Sequence, residues 1–297
     1  MIRYPVKKVD LEALITAEKP TWLGRAAAKT AEFKRKGFYT EDSSIWSEVK
    51  VVYMRLQGMG KCAYCEREME AEQLGKGEQD VEHFRPKGSV KAWKASQKLS
   101  DAGVIFAAAP AAGKGYYLLP YHPFNYCAAC KPCNSVLKSD YFPISGAYDL
   151  DADDPENVAM LAAEGAYLLY PIGSLDDDPE TIIEFYGLSP RPVAATGMKR
   201  HRALVTIEFF RLDDPEERKN LYRDRAILIL ALFPLLEKTR QGTPAAKTAA
   251  KATVKGFLKP ELRHLNCARN FQGLFERDAI AAKEIYDGAL KLVTSIS

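Results

Sequence analysis

Apolar positions recur at helical spacing through most of this chain, and the pattern gives way only in its middle third. The first 60 residues read as helical, with EALITAEKPTWLGRAAAKTAEFKRKG rich in Ala, Lys and Glu. A second helix is predicted to start near Ser44, which can cap it, and to place Trp46, Val49, Tyr53 and Leu56 on one face. Gly58 and Gly60 should end it. Residues 61–145 hold most of the cysteines among aromatic residues and turn formers, and read as one compact metal-bearing unit. Beyond Pro143 the segments AYLLYPIG and TIIEFYGL predict short strands, divided by a turn at Asp176-Asp177-Asp178-Pro179. From Gly197 the helical pattern returns in HRALVTIEFFRL and NLYRDRAILILALFPLLEKTR. Residues 239–256 are low in complexity and suit a linker or a helix. As a helix they would line up Lys247, Lys251 and Lys255 in one solvated stripe. The last segment, NFQGLFERDAIAAKEIYDGALKLVTSI, predicts one amphipathic helix. The expected class is α+β: a small metal unit at 60–145, between a helical segment at 1–59 and a mostly helical region at 146–297.

Composition narrows the class without naming a function. A chain of 297 residues with 47% hydrophobic and 27% charged content can bury a sizeable core. No apolar run reaches the roughly 18 residues of a membrane span, and the opening MIRYPVKKVDLEALI lacks the apolar core of a secretory signal. A cytoplasmic protein is expected. The net charge of +3 decides nothing, but its distribution is uneven. Arg85, Lys87, Lys91, Lys94 and Lys98 form a run without an acid, whereas residues 146–190 carry eleven Asp and Glu and no Lys or Arg. A phosphate backbone would approach the first stretch and avoid the second; two ordinary solvated faces would look the same.

Five of the six cysteines fall at Cys62, Cys65, Cys127, Cys130 and Cys133, with Cys267 apart. Cys62-x-x-Cys65 and Cys130-x-x-Cys133 each make a turn that offers two thiolates to one tetrahedral zinc. Cys127-x-x-Cys130 has the same spacing, so the cysteines alone leave the second pair open.

Between and around them lie Asp80-Val81-Glu82-His83-Phe84-Arg85-Pro86-Lys87 and the stretch from Asn125 through Cys133-Asn134 to Lys138. The pattern C-x-x-C, E-H-x-x-P, N-x4-C-x-x-C-N-x-x-K resembles HNH (ββα-metal) endonucleases. KCAYCE, VEHFRPKG and CNSVLKSDYFP look like the HNH subunits of bacterial anti-phage systems of the Septu and retron-associated kind. The resemblance covers residues 44–145 and continues more weakly to the helix after Arg202.

It implies a zinc-stapled ββα-metal unit and favours Cys62, Cys65, Cys130 and Cys133 as ligands, leaving Cys127 as packing or a spare thiol. It also implies hydrolysis of phosphodiesters, in DNA first, with RNA as the alternative substrate. Glu82 and Asn134 would hold Mg²⁺ or Mn²⁺ through oxygen, and His83 would act as general base. Asn125 would brace the loop that carries His83, and Arg85, Lys87 and Lys138 would contact phosphate. His122 could reach the scissile phosphate, although a histidine packed among Tyr121, Phe124 and Tyr126 is the plainer expectation. The partner implied is an ATPase subunit of the ABC or OLD-like kind, for which the acidic segment would offer a docking face. The rival functions are a ribonuclease acting on an RNA such as tRNA, and a zinc module that binds nucleic acid or protein without catalysis.

Overall fold

The computed structural model describes residues 1–40, 43–58 and 60–295. Two helices, α1 (Lys8–Glu18) and α2 (Trp22–Lys36), are separated where Pro20 withholds a backbone donor, and α2 stops at Gly37 in the left-handed conformation. The helix expected near Ser44 is a 3-10 turn, Trp46–Val49, running into α3 (Lys50–Leu56). Trp22 packs edge-on against Tyr126 and donates its indole N–H to Ile45 O at 2.8 Å, which pins α2 to the centre of the molecule.

That centre is a two-stranded antiparallel sheet. β1 (Gln79–His83) pairs with β2 (Tyr126–Cys130), with His83 opposite Tyr126, Glu82 opposite Cys127 and Gln79 opposite Cys130. β2, YCAAC, is buried at every position, so it shows no polar alternation; its small side chains let α3 lie close. Two unpaired strands would expose their edges, but Gln57 closes one. Its amide accepts from Ala128 N at 2.7 Å and donates to Ala128 O at 2.8 Å. The chain then continues into a short helix, Pro132–Lys138.

The boundaries expected near 59 and 145 do not divide the hydrophobic core. One cluster of buried residues runs from Met1 through the cysteine unit to Leu221, with Leu265 added. A second gathers the helices Lys219–Arg240, Pro244–Gly256, Leu265–Arg277 and Ala279–Ser295 around Phe233 and Phe271. Residues 239–256 are thus largely helix rather than linker. The final amphipathic segment is two helices, because Asp278 breaks it and accepts hydrogen bonds from Ile280 N and Ala281 N. AYLLYPIG forms only isolated bridges, Ile144 with Ala166 and Tyr4 with Ile172. TIIEFYGL supplies β3 (Ile183–Tyr186), which turns back on β4 (Ser189–Pro192). The Asp-Asp-Asp-Pro turn is a helix start, with Asp178 capping Pro179–Ile182. No helix among the described residues is long and apolar enough to cross a membrane.

Candidate functional site

The first cysteine pair sits on a knuckle made by residues 60–69. Lys61 and Glu68 form an antiparallel bridge, and Cys62 N donates to Arg67 O at 3.2 Å. Gly60 adopts φ 131°, where any Cβ would lie 2.6 Å from Met69 O, so only glycine closes this turn. The second pair lies at the end of β2 and the start of the helix after it. Cys62, Cys65, Cys130 and Cys133 converge there with no two sulfurs more than 4.8 Å apart, all buried. Cys65 Sγ and Cys130 Sγ are 3.8 Å apart. That matches the edge of a tetrahedron with metal–sulfur bonds of about 2.3 Å, roughly 3.8 Å, and is far beyond a disulfide at about 2.05 Å. Cys130 N and Arg218 Nη2 each donate to a sulfur, Cys62 Sγ and Cys133 Sγ, at 3.4 Å, as suits thiolates. A buried four-cysteine cluster able to hold zinc is therefore present. Cys127 is buried outside it.

At the opposite end of the same strands a polar cleft of about 320 Å³ opens, lined by Trp46, Lys50, Asp80, Glu82, His83, Lys87, Asn134 and Asp140 among others. The helix Pro132–Lys138 carries both Cys133 and Asn134, so the cysteine cluster anchors one wall of the cleft. Strand alternation puts Asp80 and Glu82 on one face of β1, and His83 reaches the cleft from the strand's end.

His83 is buried against Trp46 and Tyr126, with Nε2 3.1 Å from Pro120 O. A carbonyl only accepts, so Nε2 carries the hydrogen, and a neutral ring then leaves its lone pair on Nδ1. Burial first, then the nearby Lys87, hold His83 well below the ordinary histidine range, so the ring is neutral at physiological pH. Asn125 is fully buried and grips the backbone of Arg85, two residues after His83, from both sides. Its Oδ1 accepts from Arg85 N at 2.8 Å, while Nδ2 donates to Arg85 O at 3.0 Å and Leu119 O at 3.1 Å.

Glu82 is 2% exposed, and burial pushes its carboxyl up to about 7 against the downward pull of Lys138. Lys138 Nζ lies 3.1 Å from Glu82 Oε1, close enough for an ion pair yet off hydrogen-bond geometry, so Oε1 lacks a hydrogen bond among the described residues. A buried carboxylate oxygen left in this state suits a hard cation. Asn134 stands across the cleft, Nδ2 3.4 Å from Asp80 Oδ2. Asp80, partly exposed and two residues before Glu82, is the cleft carboxylate the sequence reading passed over; its position on the Glu82 face was the available signal.

Two expectations need correction. Arg85 does not face a phosphate: it is buried, with Nε and Nη2 on Glu164 Oε2 at 3.0 and 2.6 Å. Lys138 is equally sealed, committed to Glu82 and to His83 O at 3.4 Å. His122 lies outside the cleft, beside Asp154 and Glu156, with Nδ1 accepting from Phe124 N at 3.2 Å. Lys87 does line the cleft, its ammonium 4.1 Å from the centre of the Trp46 ring. A largely apolar cavity of about 250 Å³ lies behind Arg85; its acids Asp176 and Asp177 are both paired with Arg202, so the polar cleft is the candidate.

No model of a known protein family matches this chain, and comparison with curated proteins and with solved structures finds no match either. The functional reading therefore rests on the residues and their geometry.

Proposed function

We propose that this protein is a metal-dependent phosphodiesterase of the HNH type that cuts nucleic acid. The observation that carries the reading is the meeting in one cleft of a neutral histidine whose Nε2 is committed to a carbonyl with oxygen donors from the same strand and from the helix that follows the hairpin. A solitary structural zinc module has no use for that second constellation. Asp80, Glu82 and Asn134 would hold Mg²⁺ or Mn²⁺, whose charge, when bound, offsets the negative charge that builds on phosphorus oxygens during displacement. The chain's own groups do the rest. His83 Nδ1 takes a proton from the attacking water, and the Pro120 carbonyl keeps the ring in the tautomer that permits this. Asn125 fixes the backbone just after His83, limiting how far the ring can wander. Lys87, at the cleft wall, meets the entering phosphate.

The test is direct. Purified protein is offered plasmid, single-stranded DNA and total tRNA with Mg²⁺, Mn²⁺ or EDTA. Cleavage of at least one is expected with metal and not with EDTA, and His83→Ala should lower its rate by about two to four orders of magnitude, the usual worth of a general base. Equal cleavage by His83→Ala and wild type would remove the assignment. The substrate cut fastest decides between DNA and RNA.

A further inference from the structure

Of the basic residues that cluster in the sequence from Arg85 to Lys98, Lys87 alone lines the cleft. In the Arg85–Lys98 run, Arg85 is buried on Glu164, Lys91 lies 2.8 Å from Asp140, and Lys98 is 3.9 Å from Asp213. At the Asp80 end of the cleft, by contrast, three lysines meet from separate segments. Lys50, at the start of α3, lines the cleft and donates from Nζ to Lys76 O at 3.0 Å and Gln79 O at 2.8 Å. Lys131 lies just before the helix that carries Asn134, and its backbone N–H donates to Glu78 O at 3.3 Å. The backbones of 76, 78, 79 and 131 are thereby drawn to one place. The Lys76 and Lys131 side chains are exposed there, with no ion pair among the described residues. Nearby acids are engaged: Asp80 lies between Lys50 and Asn134, and the Glu78 carboxylate accepts from Glu70 N at 2.9 Å.

We propose that Lys76 and Lys131, supported by Lys50 beneath them, grip the phosphates flanking the one held in the cleft, so that the strand crosses at the Asp80 end rather than along the Arg85–Lys98 loop. This rests on the nuclease reading. Each strand presents one negative charge per about 3.4 Å, so exposed lysines on the two segments next to the cleft can meet phosphates on either side of the one held there. Lysine is a point charge on a flexible stem and makes no planar contact with a base edge, so the grip is indifferent to sequence. Pairing between distant segments built this patch, which is why no run of residues announces it.

The experiment measures binding of fluorescent single-stranded DNA, duplex DNA and tRNA over a range of salt. It uses a His83→Ala background so that nothing is consumed, and zinc content and melting temperature report folding. With Lys76→Ala/Lys131→Ala, affinity should fall roughly 10- to 100-fold near 0.1 M salt, and the slope of log affinity against log salt should shrink by about 2. Lys94→Ala/Lys98→Ala should leave both near their starting values. A Lys76/Lys131 variant with unchanged affinity and slope overturns the proposal, as does a loss confined to Lys94/Lys98. If wild type cleaves with metal while the Lys76/Lys131 variant binds normally, this inference alone falls. If wild type neither binds nor cleaves any of the three, the nuclease reading falls and takes this one with it.

Discussion

Glu82 and Lys138 face each other across 3.1 Å with both side chains sealed from solvent. Neither charge would be stable there alone. The pair sits directly beneath the cleft, so the residue proposed to meet a divalent cation is already held by a resident one.

That arrangement makes Lys138→Met informative. Removing one partner of a buried pair costs about 3–5 kcal/mol. Mg²⁺ or Mn²⁺ should recover part of that loss, because a cation reaching Glu82 replaces the missing charge. Thermal unfolding of both proteins with and without metal measures it. A metal increment no larger in the variant than in wild type would mean that Glu82 is not the oxygen the cation meets.

The two metal roles should separate cleanly among the cysteines. Cys62→Ser and Cys133→Ser are expected to lose zinc and solubility together, since zinc binding to such a cluster is folding energy. Cys127→Ser lies outside the cluster and should retain about one zinc per chain. Metal analysis of soluble protein checks this. A zinc-free Cys127→Ser protein would redraw the ligand set.

Within the cleft, Asp80→Asn and His83→Ala should fail in different ways. The first removes a charged oxygen that would help hold the cation, and should raise the half-saturating Mg²⁺ concentration about tenfold or more. The second handles a proton and should lower the maximal rate at an unchanged metal midpoint. Metal titrations of the cleavage rate distinguish them, and coincident midpoints for Asp80→Asn and wild type would exclude Asp80 from the metal site.

His122 gives a pH dependence whose sign follows from its burial. Desolvation first, and the charge of Lys8 after it, lower its value to about 4, below the ordinary 6.5. The folded state therefore binds this proton more weakly than the unfolded chain does. The associated stability is complete above pH 6.5 and declines toward pH 4, by on the order of 3 kcal/mol. His122→Gln removes that component, so urea midpoints at pH 7 and pH 4.5 should differ less in the variant. Equal differences in the two proteins would assign the acid sensitivity elsewhere.

What the sequence disclosed, and what it hid, divides along local and distant contacts. The C-x-x-C turns were readable because their chemistry is set by neighbours a few residues away. β2 was not readable as a strand, since burial on both faces erased its alternation. Arg85 looked like a phosphate contact because Glu164, its partner, is 79 residues further on. The Lys50, Lys76 and Lys131 cluster is likewise a product of tertiary approach. The break between the last two helices was marked by Asp278, an ordinary cap inside an otherwise continuous apolar stripe.

The two strands of the central hairpin are separated by residues 84–125, and that spacing has a consequence during synthesis. A nascent chain that has emerged as far as Tyr121 already carries His83, Glu82 and the first cysteine knuckle. It still lacks Asn125 to steady the ring, Lys138 to hold the Glu82 charge, and Cys130 and Cys133 to close the metal cage. All of these arrive within residues 125–138, the same stretch that completes the cysteine cluster. A ribosome making this protein therefore completes the cleft only as it completes the cysteine cluster able to hold zinc, and on the nuclease reading activity and metallation would become available together.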